Sequence, residues 1–420
     1  MNLECVEIRG GKPLCGRVKI QGSKNAVLPI LAACILHEGT SRIDHCPRIR
    51  DVFDTIIILE LLGCRVWWED QCLAVDASQI SRWQIPAQIA ERMRSSVLFL
   101  GALLGRMGKA ELPYPGGCVL GARPVDLHIT AMKELGARVE EKAGCILAEC
   151  RTPKGKEITL RFPSVGATEN IILAAVRAEG VTVIKNAARE PEIGELCLFL
   201  REKGADIREF PEGRIEIIGG ARLRDSRHDL EADRIVAGTY ILAAAMTGGC
   251  ITINRMPEKH MENVMAVFKN MGIGIDRIGS DVIVDGSRKR RNIGLLETAP
   301  YPGFPTDLQS PMMALLAVTE GESRIRENIF EARFKTAHQL KAMGADIKLK
   351  EREAIIHGVP ALHGTQVEAG ELRGAAALFL AGLSAEGTTK ICGCHYISRG
   401  YENICGILSG LGAEIVTVHK

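Results

Sequence analysis

No stretch of this 420-residue chain reaches the roughly 18 consecutive apolar residues that a membrane-spanning helix needs. The apolar run from Val27 to Leu36 therefore reads as a buried helix, and no membrane partner is expected. The first residues up to Gly22 have neither a basic segment nor an apolar one of the kind that marks a secretory leader, so a cytoplasmic location is expected. Fourteen cysteines are present, but they lack the spacing of a disulfide framework. Cys34, Cys64, Cys197 and Cys250 sit in apolar segments and read as reduced core residues. Cys392-Gly-Cys394-His395 has no second ligand pair, so no metal site is expected. A formal charge of +2 from 53 basic and 51 acidic residues gives no footprint for nucleic acid. No phosphate-binding GxxxxGK[ST] loop occurs, and Gly272-Ile-Gly274 with Gly279 is not a dinucleotide fingerprint. NAD and ATP chemistry are thereby disfavoured, and no cofactor is expected.

What is present is a globular composition, 46% hydrophobic and 25% charged, at a length that suggests two or three domains at about 150 residues each. The strongest signal is internal repetition. A glycine that ends a helix and opens a hairpin recurs at Gly63, Gly136, Gly204, Gly272, Gly344 and Gly412, a period of about 70 residues. A second marker keeps the same period in another phase, at Gly39, Gly108, Gly180, Gly249, Gly321 and Gly387.

Each copy holds a nearly all-apolar helix, such as that around Ile171 to Val176 or Ile241 to Met246, then a strand, then an amphipathic helix such as Asp126 to Leu135, then a hairpin. A helix apolar all round must be buried, whereas a half-polar one lies outside. The expected fold is α/β: a two-lobed, inside-out α/β barrel of six βαβαββ-like repeats, three per lobe. The sixth copy stops one strand short, and the unassigned segment Leu3 to Gly10 could complete it. On that reading the first lobe is 23–231, and the second comprises 1–22 and 232–420.

A short polar group precedes each buried helix: Lys24-Asn25, Arg94-Ser95, Ser164-Val165-Gly166, Asp233-Arg234, Thr306-Asp307 and Glu371-Leu372-Arg373. Helix N-termini present unpaired N–H groups and positive dipole ends, which suit anions. Ser95, Ser164 and Asp307 read as N-caps. Capping does not account for Lys24, Arg94 or Arg373, cations at the unfavourable end of a helix dipole, and these read as ligands for an anion. A Pro- and Gly-rich loop from Pro113 carries Cys118 just before Arg123 and a helix start, a setting that makes thiol reactivity plausible. His128, on the amphipathic helix, reads as a capping or surface residue.

Gly22-Ser23-Lys24-Asn25, Pro115-Gly-Gly-Cys118 through Arg123-Pro124-Val125-Asp126-Leu127-His128, Ser164 to Thr168, Asn186 to Pro191, Phe304 to Asp307, Phe330 to Phe334 and Arg399-Gly-Tyr-Glu402 together closely resemble the enolpyruvyl transferases that act on UDP-N-acetylglucosamine. The resemblance runs nearly end to end. It implies transfer of the enolpyruvyl group of phosphoenolpyruvate to the 3-hydroxyl of that sugar nucleotide with release of phosphate, the first committed step of peptidoglycan synthesis, and sensitivity to fosfomycin. It further implies that Lys24, Arg123 and Arg399 bind phosphoenolpyruvate with Asn25 beside them, as arginine forks match phosphate and carboxylate oxygens. Cys118 is implied as the proton donor to the methylene carbon and Asp307 as acceptor of the hydroxyl proton. Arg94, Arg123, Pro124, Val125, Asp126, Leu127, Phe162, Pro163, Ser164, Val165, Gly166 and Ile329 are implied as sugar-nucleotide contacts, with Arg333 and Arg373 also in the substrate site.

Two residues depart from the family pattern. Phe162 stands where some members carry lysine, so this nucleotide contact is apolar or made by backbone. Glu371 replaces the usual Asp, which leaves its role open. The nearest rival is the sister transferase acting on shikimate 3-phosphate, against which the Pro115 to Cys118 loop argues; a non-catalytic sugar-nucleotide-binding paralogue is the alternative from another class. Beyond the two small-molecule substrates, at most weak self-association is expected, as a monomer or weak homo-oligomer.

Overall fold

The computed structural model describes residues 5–116 and 125–418. They divide into two compact units, one of residues 22–116 and 125–231, the other of 5–21 and 232–418. Each unit has its own hydrophobic core. Gly22 falls with the residues that follow it.

In the first unit the core is formed by the helices Lys24–Ala33, Phe99–Met107 and Val165–Ala175; in the second, by Arg234–Thr247, Gln309–Ala317 and Leu372–Ser384. From Ile235 to Met246 every residue of the fourth helix is buried, as the lack of any polar face requires. Close approach is built into the sequence at Gly101, where an added Cβ would lie 2.2 Å from the carbonyl oxygen of Asn170 on the neighbouring helix. The apolar run from Val27 onward ends as a 3-10 turn, Cys34–Leu36.

The sheets surround these helices in one recurring pattern. In the third copy, Glu157–Thr159 pairs parallel with Val181–Lys185 across the buried helix, and Val181–Lys185 then pairs antiparallel with Arg214–Ile218 of the following hairpin. The same order recurs in four further sheets; Lys109–Pro113, Cys145–Glu149 and Arg138–Lys142 form a three-stranded version, extended by an isolated bridge from Gln84 to Glu111. The α/β fold of six βαβαββ-like repeats follows. All six hairpin glycines, Gly63 through Gly412, have φ between 90° and 109°, a left-handed conformation that ends a helix without the steric cost a side chain would add.

The sheet of the sixth copy contains Cys5–Arg9 between Thr388–Cys392 and Glu414–Val418, antiparallel to both. Two strands are exchanged in the chain's course. Cys15–Lys19 lies in the sheet of the fourth copy yet runs into the first copy's buried helix, whereas Ser226–Asp229 lies in the sheet of the first copy and runs into the fourth copy's helix.

Of the four cysteines expected in the core, three are there. Cys34, Cys64 and Cys197 are buried, but Cys250 is exposed, because it opens its strand on the outward phase of the alternation. Among the described residues no helix is long and apolar enough to cross a membrane, and no cluster of three or more metal-ligating side chains occurs.

Candidate active site

In the first unit, Lys24 begins its helix, capped by the hydroxyl of Ser23, which accepts from the N–H of Ala26 at 3.4 Å. A cation in this place opposes the helix dipole. It is balanced by Asp51, which lies 3.1 Å from Lys24 Nζ and is 2% exposed. Asn25 and Arg94 are half-buried. The turn Arg94–Leu98 packs against both the Lys24 helix and the helix that begins at Val165. Ser164 is the N-cap of that helix and accepts from Ala167 N–H at 3.4 Å. Pro163, Val165 and Gly166 are half-buried beside it, and Phe162 is 46% exposed.

His128 is neither a cap nor a surface residue. It is 6% exposed, its Nδ1 lies 2.7 Å from Asn170 Nδ2, and its ring edge would lie 3.0 Å from a Cβ placed at Gly166. Its helix packs on the helix Val165–Ala175, and the face it shares with Ile129, Ala131 and Met132 is the buried one. Val125 is also buried; Asp126 pairs with Arg161, and Leu127 is half-buried. Cys118, Arg123 and Pro124 lie outside the described residues.

Asp307 is the focus of the second unit. Its Oδ1 accepts from Arg333 Nη2 at 3.0 Å and its Oδ2 from Arg373 Nη2 at 2.7 Å. The two arginines are 2% and 3% exposed, and Asp307 retains 24% side-chain exposure. Burial alone would lower the pKa of Arg373, but the charge of Asp307, with Tyr401 and Asp233, outweighs it and holds the guanidinium above its usual range. Among the described residues, Arg333 Nε and Arg373 Nη1 are buried donors without a hydrogen-bond partner. Such donors typically cost about 1–3 kcal/mol each, and both sit on side chains already engaged by Asp307. Arg399 ends the 3-10 helix Cys394–Arg399 and is half-buried. Ile329, also half-buried, donates its N–H to Glu327 at 2.8 Å.

Capping is distributed differently from the sequence expectation. Ser164 caps, but Ser95 and Asp307 do not; the helices Phe99–Met107 and Gln309–Ala317 are each preceded by a 3-10 turn, which leaves the Ser95 side chain out of the capping position and turns Asp307 toward its arginines. The carboxylate of Asp233 accepts from Ile235 and Val236 N–H instead, and Glu371 accepts from the N–H groups of Arg373 and Gly374. Glu371, the departure from the family pattern, is thus the cap that seats Arg373. Sequence reasoning missed Asp51 and Glu327. Asp51 had a faint signal, an acid in the first turn of the same copy's amphipathic helix; Glu327 had none.

Comparison with known proteins agrees over nearly the whole chain. Residues 8–408 match the family model of EPSP synthase (3-phosphoshikimate 1-carboxyvinyltransferase). The chain is 46% identical over 413 residues to UDP-N-acetylglucosamine 1-carboxyvinyltransferase 2 of Caldanaerobacter subterraneus subsp. tengcongensis, covering 98% of this chain and 99% of that one. It is 43% identical over 412 residues to UDP-N-acetylglucosamine 1-carboxyvinyltransferase of Nitratidesulfovibrio vulgaris, covering 97% and 98%. Among solved structures, the enolpyruvyl transferase NikO from Streptomyces tendae matches with a TM-score of 0.89 at 26% identity, covering 98% of each chain. EPSP synthase from Acinetobacter baumannii matches at 0.76 and 19% identity over 98% of this chain and all of that one, a likeness of fold alone. The chain belongs to the enolpyruvyl transferase family, in the group of the UDP-N-acetylglucosamine 1-carboxyvinyltransferases.

Proposed function

We propose that this protein transfers the enolpyruvyl group of phosphoenolpyruvate to the 3-hydroxyl of UDP-N-acetylglucosamine, releasing phosphate, in the cytoplasm and as a monomer or weak homo-oligomer. The observation that carries the reading is Asp307 held between two buried arginines, each with a donor unpartnered among the described residues, in a chain whose full-length relatives at 43–46% identity bear that activity in their names.

Asp307 accepts the proton of the 3-hydroxyl as its oxygen attacks C2 of phosphoenolpyruvate. Cys118 gives a proton to the methylene carbon, so that a tetrahedral ketal forms with a new methyl group. Loss of a proton from that methyl group and departure of phosphate restore the double bond. Lys24, Asn25, Arg123 and Arg399 hold the phosphate and carboxylate, and the donors of Arg333 and Arg373 add to the field that stabilises developing charge. Arg94, Pro124 to Leu127, Phe162 to Gly166 and Ile329 hold the sugar nucleotide, with the Ser164-capped helix start offered to its pyrophosphate. The protein's work is chiefly to bring two anions together in one orientation. Turnover with phosphoenolpyruvate and each candidate acceptor, followed by phosphate release, tests the reading.

A further inference from the structure

Glu327 is wholly buried, with 0% exposure, and belongs to none of the motifs that carry the chemistry. A buried carboxylate is costly unless its oxygens are satisfied, and here they are satisfied by two separate stretches of chain. Oε2 accepts from the hydroxyl of Thr306 at 2.9 Å. Oε1 accepts from the N–H of Ile329 at 2.8 Å and that of Phe330 at 3.0 Å. The backbone of Glu327 is fixed in turn, donating its N–H to the carbonyl of Arg352 at 2.8 Å.

Those two stretches carry the reacting geometry of this unit. Thr306 is the neighbour of Asp307 in the turn Thr306–Leu308. Ile329 is the acceptor contact, and the ring of Phe330 lies 5.4 Å from the guanidinium carbon of Arg333, which donates to Asp307. One carboxylate therefore joins the segment that holds the base to the segment that touches the sugar.

We propose that Glu327 is a positioning residue that sets Asp307 at the correct distance from the acceptor hydroxyl by holding Thr306 and the Ile329–Phe330 turn in one register. It does not touch substrate; it acts through Thr306 and the backbone of residues 329 and 330. The proposal rests on the assignment of Asp307 as the base. Displacement of a reacting group by about 1 Å can cost on the order of a hundredfold in rate, so loss of this tie should fall on kcat rather than on acceptor binding.

The test uses the full chain and steady-state kinetics of Thr306→Val, Thr306→Ser, Glu327→Asp and Asp307→Asn, with thermal melts alongside. Thr306→Val keeps the branched shape, removes the hydroxyl and leaves the turn at Ile329 intact. The expected result is a kcat lowered roughly ten- to a hundredfold, with KM for both substrates changed less than about threefold, and rescue to within about twofold by Thr306→Ser. Glu327→Asp, one bond too short to span both stretches, should behave like Thr306→Val, and the double variant should be no slower than either alone, because both cut one tie. Wild-type kcat in Thr306→Val, an equal loss in Thr306→Ser, or multiplying losses in the double variant would overturn the proposal. Asp307→Asn separates the two layers: if it turns over normally the base assignment fails and the proposal with it, whereas a dead Asp307→Asn beside an unaffected Thr306→Val removes the proposal and leaves the base in place.

Discussion

Arg373 Nη2 donates to Asp307 Oδ2 at 2.7 Å from the second position of a helix whose cap, Glu371, accepts the backbone N–H of Arg373 itself. The cation is thus aimed by the same turn that would otherwise repel it. Asp307→Asn should lower kcat by about 10²–10⁴-fold, the usual contribution of a positioned general base. Arg373→Lys should also be impaired, since a lysine cannot reproduce a planar fork that serves Asp307 with one nitrogen and offers the other. Initial rates at saturating substrate measure both.

Lys24 and Asp51 give a test of the other unit. Asp51→Asn would remove the carboxylate charge that lies 3.1 Å from Lys24 Nζ at a positive helix end. Removing one partner of a buried pair costs about 3–5 kcal/mol when both are fully buried; as Lys24 keeps 13% side-chain exposure, a loss of about 2–3 kcal/mol is expected. Urea unfolding measures it, and an unchanged midpoint would show that the pair contributes nothing.

His228 supplies a pH dependence. It is 1% exposed, with Nδ1 2.9 Å from Glu202 and Nε2 3.4 Å from Glu195. Burial opposes its charge, but the two carboxylates outweigh burial and the imidazole pKa is raised. A histidine with a raised folded-state pKa favours the protonated native state. Its stabilisation is full below the unfolded value near 6.5 and is lost as pH rises through the folded value. The stability gap between the wild type and His228→Gln should therefore be largest below about pH 6 and shrink toward alkaline pH. Denaturant midpoints across that range check the sign.

How much of this could be read from the sequence depended on whether a residue's partner is local. The six hairpin glycines were legible because a left-handed helix end needs glycine wherever it recurs. The buried helices were legible because no polar face leaves only the interior. Asp307 stood out as a motif, but its geometry depends on Arg333 and Arg373, one from its own copy and one from the next, and no local rule joins them. His128 was misjudged because one half-polar helix does not reveal which of its faces meets the Val165 helix. Glu327 was invisible: its three donors come from a turn 21 residues earlier and from its own irregular loop, so nothing periodic marks it.

Cys118 is tested chemically. An epoxide phosphonate such as fosfomycin should alkylate it, with the basic residues holding the phosphonate while the thiolate opens the ring. Cys118→Asp should escape labelling and keep turnover, since a carboxylic acid of raised pKa can supply the proton. Cys118→Ser should lose about a hundredfold or more, because a hydroxyl is too weak an acid. Peptide mass mapping with rates for both variants checks this; a label on another cysteine, or full activity in Cys118→Ser, contradicts it.

The most direct measurement is phosphate release from phosphoenolpyruvate with UDP-N-acetylglucosamine or shikimate 3-phosphate as acceptor, with the product mass recorded. Release with the sugar nucleotide alone, one phosphate for each acceptor that gains an enolpyruvyl group, is the predicted result. Release with shikimate 3-phosphate, or with neither acceptor, would contradict the assignment.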